Sequence, residues 1–447
     1  MIRLTPMDKW IVEKIEAPDG KLTRERLEAY QLEKLRDTMA LVRAKSRFYR
    51  KKLADFSVES LQSLEDLQKL PFTTPDDIKN DSLGFLCTSQ DDIHRIVTQE
   101  SSGTTGAPKR IFFTAEDQEL TAEFFQRDLP GVSESGDHYL ILLPSERPGS
   151  VAGLFMESAR RNGVRTLAHG LIRDPRETLA VMEREGIDSL LGIPVQVLAL
   201  ATFEAPGERQ FHTNVKNIIL NTDYLPKALV RRLQDKWNCR VFNHYAMTEM
   251  GMAGGVECEA FDGLHLREAD LLFEIVDPVT GMPVPDGEEG EVVFTTLTRN
   301  GMPLIRYRTG DISRFIPEPC PCGTVLKRLQ PVQKRLDGGV KLIGGGSLHM
   351  AMLDEALFAV EGLINFQAQV WAEGDKDRLD LKVHVAPWVE DQVEEAVRQA
   401  LHGVPELELG AKRGDLTLGY VEVDRSSKLW PPVKRVIREW RDEVRSR

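Results

Sequence analysis

The stretch Arg240-Val241-Phe242-Asn243-His244-Tyr245-Ala246-Met247-Thr248-Glu249 runs from a short apolar strand directly into an aromatic ring, a hydroxyl and a carboxylate. In open α/β sheets, ligands bind at the carboxyl ends of strands, where this cluster sits. Working outward, apolar runs at 139–143, 188–191, 217–220 and 240–242 alternate with helical patterns at 175–185 and 226–237. That alternation predicts a largely parallel sheet covered by helices. From Leu271 the texture changes to strands and turns: LLFEIVD, a turn over 278–286, then GEVVFTTL, which reads as a β-rich subdomain. Toward the N-terminus, Leu32, Leu35, Met39 and Val42 recur at helical spacing, so residues 22–52 read as one amphipathic helix.

A second break falls over 327–346, which is rich in Lys, Arg and Gly. Beyond it Leu379, Leu381, Val383 and Val385 alternate as a half-buried strand. Val393, Ala396, Val397, Ala400 and Leu401 mark a helix stopped at Gly403, and 419–423 reads as another strand. The expected class is therefore α/β. A large N-terminal domain, 1–334, has mostly parallel sheets covered by helices plus the β-rich subdomain, and a small α+β C-terminal domain occupies 335–447.

With 447 residues, 41% hydrophobic and 29% charged, the composition is that of a globular chain large enough for two domains. A net charge of -12 argues against a nucleic-acid surface, which needs a basic face. No run approaches eighteen apolar residues, so no membrane partner is expected. The charged start MIRLTPMDKWIVEKIEAPDG lacks the apolar core of a secretory leader, and the expected location is cytoplasmic.

Ser101-Ser102-Gly103-Thr104-Thr105-Gly106-Ala107-Pro108-Lys109 packs four hydroxyls, two glycines and a lysine into nine residues. Glycines let backbone N–H groups approach an anion, hydroxyls donate further bonds and the lysine adds charge, so this loop can hold polyphosphate. It is not a Walker loop, because no Gly-Lys-Ser/Thr follows at the required spacing. A solvated loop remains the alternative for the run taken alone. Further along, Tyr307-Arg308-Thr309-Gly310-Asp311 sets a carboxylate beside a glycine, suited to a ribose diol. Arg335 and Asp337 follow at the domain boundary, and Lys428 and Lys434 lie near the C-terminus.

Taken in order, these motifs resemble those of the AMP-forming adenylate-forming (acyl-CoA synthetase) superfamily, and within it the phenylacetate–CoA ligase-like branch. The resemblance also includes Ser46-Arg47-Phe48-Tyr49-Arg50, Leu70-Pro71-Phe72-Thr73-Thr74, and Thr295 and Leu297-Thr298-Arg299 leading into Met302-Pro303-Leu304-Ile305-Arg306. It implies that Ser101, Ser102, Gly103, Thr104, Thr105, Gly106 and Lys109 cradle the β- and γ-phosphates of ATP. Tyr245 would stack on adenine, with Thr222 and Asp223 at its edge. Thr248 would contact the α-phosphate, Glu249 would hold Mg2+, and Asp311, with Arg335 nearby, would bind the ribose. Asp337 would be the hinge about which the small, mobile C-terminal domain rotates. The implied partners are a small-molecule carboxylate, ATP and CoA, with a homodimer as the oligomeric expectation. The implied reaction makes acyl-AMP and pyrophosphate, then transfers the acyl group to the CoA thiol.

Cys258, His265, Cys320 and Cys322 supply three thiols and one imidazole, a set suited to tetrahedral zinc. Buried strand residues plus a Cys-Pro-Cys-Gly turn is the alternative. Similar cysteines in the resembling branch, where a structural zinc is found, favour Zn2+. Cys87 and Cys239 read as core residues.

The chain also departs from the family pattern. Its last motif reads Asp424-Arg425-Ser426-Ser427-Lys428-Leu429-Trp430-Pro431-Pro432-Val433-Lys434-Arg435-Val436-Ile437. Aligning Arg435-Val436 puts Pro432 where the adenylation lysine belongs, whereas aligning Arg425-Ser426 offers Lys428. Lys428 is taken as the catalytic lysine, beside Thr248 and Glu249, with Lys434 as the alternative. Gly338-Gly339, Gly344-Gly345-Gly346 and His349 replace the usual segment after the hinge, which leaves the acceptor open. Residues 150–163 replace a glycine- and tyrosine-containing helix start beside the acyl pocket, which argues against phenylacetate itself. Two other readings stay open: transfer to a non-CoA acceptor or nucleotidyl transfer to a specialised coenzyme, and a nucleotide-binding protein without turnover.

Overall fold

The computed structural model describes residues 2–99, 108–205, 207, 210–431 and 435–441. By contacts the chain divides into two units. The first comprises Met1–Gly136, Ser145–Val164 and Phe242–Pro331; the second comprises Asp137–Pro144, Arg165–Val241 and Val332–Arg447. The expected phosphate loop, Ser101 to Gly106, lies outside the described residues, as do Pro432 and Lys434.

In the first unit the expected 22–52 helix is two helices, Arg24–Lys45 and Arg47–Lys52. Ser46 separates them. Its ψ of 122° is extended, its hydroxyl accepts the Tyr49 N–H at 3.2 Å and donates to the Gly84 carbonyl at 2.8 Å. A serine that can cap the second helix and bond across the chain competes with helix continuation. The antiparallel strands Leu271–Val276, Gly290–Thr296 and Tyr307–Ser313 form the β-rich part, with register Phe273↔Phe294↔Tyr307. A second antiparallel run pairs the end of Arg240–Tyr245 with Gly255–Glu257, then Leu264–Leu266, Arg328–Leu329 and Phe315–Ile316.

One buried cation organises the β-rich part. Arg306, 1% exposed, makes a bidentate pair with Glu274 at 2.9 and 3.0 Å. Its other nitrogen donates to the carbonyls of Gln68 and Leu70 at 2.9 and 2.8 Å, and its guanidinium lies 4.0 Å from the Phe72 ring centroid. The planar fork satisfies one carboxylate and two carbonyls at once, which lysine cannot reproduce.

The second unit holds three of the parallel strands expected from the sequence, His138–Leu142, Ser189–Gly192 and Asn217–Leu220 in that order, with Arg165–Ala168, which the sequence pattern does not predict, beside His138–Leu142. Helix Pro175–Glu185 has the expected bounds; Asp174 caps its start and Gly186, at φ 61°, ends it. Leu363–Glu373 and Lys376–Val385 form a long antiparallel hairpin flanked by two parallel partners, Ile437–Glu439 and Leu416–Asp424. Helix Val393–His402 ends at Gly403 as expected. One apolar core joins both parts: Leu198, Leu229 and Leu233 of the parallel-sheet helices share it with Leu357, Phe366 and Val383. Arg232 adds a polar seam, donating to the Leu363 carbonyl at 2.6 Å and to the Thr202 hydroxyl at 2.8 Å.

Replacing Arg306 with Met strands the Glu274 carboxylate and two carbonyls in the interior. The expected loss is about 3–5 kcal/mol, the usual cost of breaking one partner from a buried ion pair, read by chemical denaturation.

Candidate active site

In the first unit the site is built on strand ends. Tyr245 is the last residue of Arg240–Tyr245, and its hydroxyl donates to Asp311 Oδ2 at 2.7 Å. Asp311 lies in a bulge of Tyr307–Ser313, where the pairing with Gly290–Thr296 shifts register. Gly310 makes the bulge possible: its φ of 76° is left-handed, and its N–H reaches Glu291 Oε1 at 3.0 Å. Thr248 and Glu249 follow in the short turn Thr248–Met250. The Thr248 hydroxyl accepts from Gln99 Nε2 at 2.8 Å.

Glu249 is 1% exposed. Its Oε1 receives the Lys109 ammonium and the Tyr307 hydroxyl, the latter at 3.1 Å, and Lys109 Nζ is 3.4 Å from the same hydroxyl. The turn is held from behind by Arg299, whose guanidinium donates to the Glu249 carbonyl at 2.9 Å and the Phe112 carbonyl at 2.8 Å. It also lies 4.4 Å from the Phe113 ring centroid. One buried cation thus ties strand Lys109–Thr114 to the Thr248–Glu249 turn. Five expected residues take part in these contacts: Lys109 with Glu249, Tyr245 with Asp311, and Thr248 with Gln99. Gln99, Arg299 and Tyr307 complete them. Arg299 and Tyr307 stood in the quoted motifs without a role; Gln99 carried no sequence signal.

Thr222, Asp223, Arg335, Asp337 and Lys428 lie in the second unit. Thr222 has φ 80° and its hydroxyl donates to Asn221 Oδ1 at 2.9 Å. Asp223 accepts from Arg435 Nη1 at 3.5 Å, while Arg435 also pairs with the buried Asp354. The neighbouring Tyr224 hydroxyl donates to Glu355 at 2.6 Å. Arg335 and Asp337 pair with each other at 3.3 Å on the surface. Lys428 is exposed on the loop after Leu416–Asp424.

Cys258, His265, Cys320 and Cys322 are all buried, and their ligand atoms lie within 4.8 Å of one another. Cys258 Sγ is 3.7 Å from Cys320 Sγ, and Cys322 Sγ is 3.5 Å from His265 Nε2. Thiolates about 2.3 Å from a tetrahedral ion stand about 3.8 Å apart, so the spacing fits zinc. Pairing of Arg328–Leu329 with Leu264–Leu266 brings the Cys-Pro-Cys turn back to His265. The hydrogen bond from Cys258 draws the Cys322 thiol far below its ordinary range and pushes Cys258 up, so the cluster holds one thiolate readily. Cys87 and Cys239 are buried and unpaired with other cysteines.

Residues 27–298 match the model of the AMP-binding enzyme family. This chain belongs to that family. Within it, the chain falls in the phenylacetate–CoA ligase-like branch. It is 29% identical over 386 residues to a phenylacetate–coenzyme A ligase of Thermus thermophilus, covering 82% of this chain and 83% of the relative. A phenylacetate–coenzyme A ligase of Escherichia coli is 27% identical over 374 residues, covering 80% and 82%. Among solved structures, a 2-hydroxyisobutyryl-CoA ligase bound to 2-HIB-AMP superposes with a TM-score of 0.79 at 20% identity, covering 94% of this chain and 91% of that one. An anthranilate CoA ligase with anthranoyl-AMP gives 0.52 at 17% identity, covering 78% and 66%. These structures carry the adenylate-forming ligase fold, and this AMP-binding enzyme shares it.

His244, next to Tyr245, lies in an aromatic box with ring centroids of Phe125 and Phe124 at 5.6 and 6.4 Å. Burial pushes its pKa from 6.5 down to about 4. Unfolding restores ordinary protonation, so its contribution is intact above pH 6.5 and lost as pH falls toward 4. At about pH 4 the loss reaches about 3 kcal/mol. His244→Leu is expected to flatten that acid limb, measured by urea unfolding at pH 7 and pH 4.5.

Proposed function

We propose that this AMP-binding enzyme is an acid–thiol ligase: it activates a small carboxylic acid as acyl-AMP with ATP, then transfers the acyl group to CoA. A carboxylate oxygen attacks the α-phosphorus and pyrophosphate departs. The CoA thiol then attacks the activated carbonyl and AMP departs. A carboxylate is a weak nucleophile, so the rate of the first step rests on positioning and on neutralising the charge that develops on phosphate. The observation that supports this most is the linked set Lys109, Glu249, Tyr307, Tyr245 and Asp311, in a chain whose family matches.

On this reading the 101–109 loop holds the β- and γ-phosphates. Tyr245 stacks on adenine, Thr222 and Asp223 line its edge, and Asp311 and Arg335 take the ribose. Thr248 contacts the α-phosphate. Glu249, a buried carboxylate already shared by an ammonium and a hydroxyl, has the donor chemistry to hold Mg2+, which supplies charge neutralisation at the phosphates. Lys428 neutralises charge in the first step, with Lys434 as its rival. Residues 335–447 act as a lid turning about Asp337 and exclude water from the hydrolysable adenylate. The Cys258, His265, Cys320 and Cys322 set holds a structural zinc with no open position. The enzyme works in the cytoplasm. The glycine-rich segment after Asp337 favours one further reading, an acceptor other than CoA.

Carboxylate-dependent ATP–pyrophosphate exchange over a panel of aryl and short acyl acids, without CoA, tests the first half-reaction. Exchange with some acid is expected. Silence across the panel with ATP bound would overturn the ligase reading. Lys428→Ala is expected to reduce exchange at least about a hundredfold, in the range for losing one electrostatic stabiliser. Metal analysis of protein purified without added metal should return about one zinc per chain, and Cys320→Ser should lower both that content and the melting temperature.

A further inference from the structure

Strict alternation along Lys376–Val385 turns Leu379, Leu381, Val383 and Val385 inward and leaves His384 on the opposite face with Lys382 and Asp380. His384 is nevertheless 1% exposed. What covers it is the loop beyond Asp424, its parallel partner in the neighbouring strand. The Trp430 ring stacks on the imidazole, with centroids 5.2 Å apart and planes 21° from parallel. His384 Nε2 lies 2.9 Å from the Ser426 carbonyl; a carbonyl only accepts, so Nε2 carries the hydrogen. Nδ1 is buried without a partner among the described residues. The loop carbonyl is thus the polar anchor of a histidine that strand packing alone does not need.

The same loop is tied at several other points. Asp424 accepts from the Ser426 N–H and from the Trp430 indole, both at 2.8 Å. The Ser426 hydroxyl donates to the Lys428 carbonyl at 3.2 Å. Arg425 donates to the carbonyls of Val389 and Glu390 and to Asp391 at 3.0–3.2 Å. Pro431 restricts Trp430 to extended backbone, which favours the stacked position. Lys428 stands exposed at the tip, and its ammonium makes no hydrogen bond or ion pair among the described residues.

We propose that His384, clasped by Trp430, is a positioning residue for Lys428: it anchors the Ser426 carbonyl and so fixes where the loop presents the ammonium to the nucleotide during adenylation. This rests on the reading of Lys428 given above. His384 touches neither nucleotide nor acid; it acts through the loop.

The test compares His384→Ala, His384→Gln and Lys428→Ala in the full chain. It measures ATP–pyrophosphate exchange with an acid that the wild type accepts, thioester formation from supplied acyl-AMP and CoA, and amide hydrogen exchange over 425–430. His384→Ala should lower kcat of exchange about tenfold to a hundredfold, the scale of a misplaced catalytic group, with KM for ATP little changed. Thioester formation should be spared, and His384→Gln, which keeps a donor, should recover most of the lost rate. Amide exchange should rise at 426–428 while strand 376–385 stays protected. Unchanged pyrophosphate exchange in His384→Ala alongside loss in Lys428→Ala overturns this proposal alone. Full activity of Lys428→Ala overturns the underlying reading of Lys428 and this proposal with it. An equal fall in both half-reactions, or unaltered amide exchange at 426–428, shows His384 to be merely structural and also overturns the proposal.

Discussion

The site in the first unit depends on a buried guanidinium, that of Arg299. Among the described residues it makes no ion pair; it bonds to two main-chain carbonyls and lies over the Phe113 ring. Burial pushes its pKa down, with Asp117 and Glu249 opposing. Satisfying backbone groups rather than a neighbouring acid leaves the Glu249 side chain available to Lys109 and Tyr307. A carboxylate consumed by Arg299 could not serve a cation or a hydroxyl. Fixing the backbone with one cation and offering the side chain to another separates support from chemistry, which is what a preorganised site requires.

Other buried arginines also fix architecture, two of them with carboxylates among their partners. Arg306 takes carbonyls of residues 68 and 70 together with Glu274, so the segment before Phe72 is anchored to the β-rich part. In the second unit Arg232 and Arg435 act alike, one on the Leu363 carbonyl and one on Asp354 and Asp223. Arginine suits these places because its planar fork meets several acceptors without giving up charge. An acidic chain thus sets several interior cations to architectural use, while Lys109 meets the Glu249 side chain.

The Cys/His cluster is a different kind of constraint. Four residues spread over 65 positions of sequence meet because two short strands pair. The cluster lies along the antiparallel run that starts from the end of Arg240–Tyr245.

By itself the sequence determined the elements with strong local patterns. The 175–185 helix carries its own Asp cap and Gly stop, the 379–385 alternation is a strand in any context, and the ordered motifs through Asp311 identify the family. Tertiary structure decided what depends on partners distant in the chain. Ser46 breaks a helix that periodicity continues, because Gly84 offers its hydroxyl an acceptor. Gln99 and His384 acquire purpose from Thr248 and from Ser426 and Trp430, residues that periodicity cannot bring near. Local propensity is set by neighbours a few positions away and can be read along the chain. The partner of a buried polar atom is set by which strands pair and which loops fold back, and that is decided only when the whole core forms.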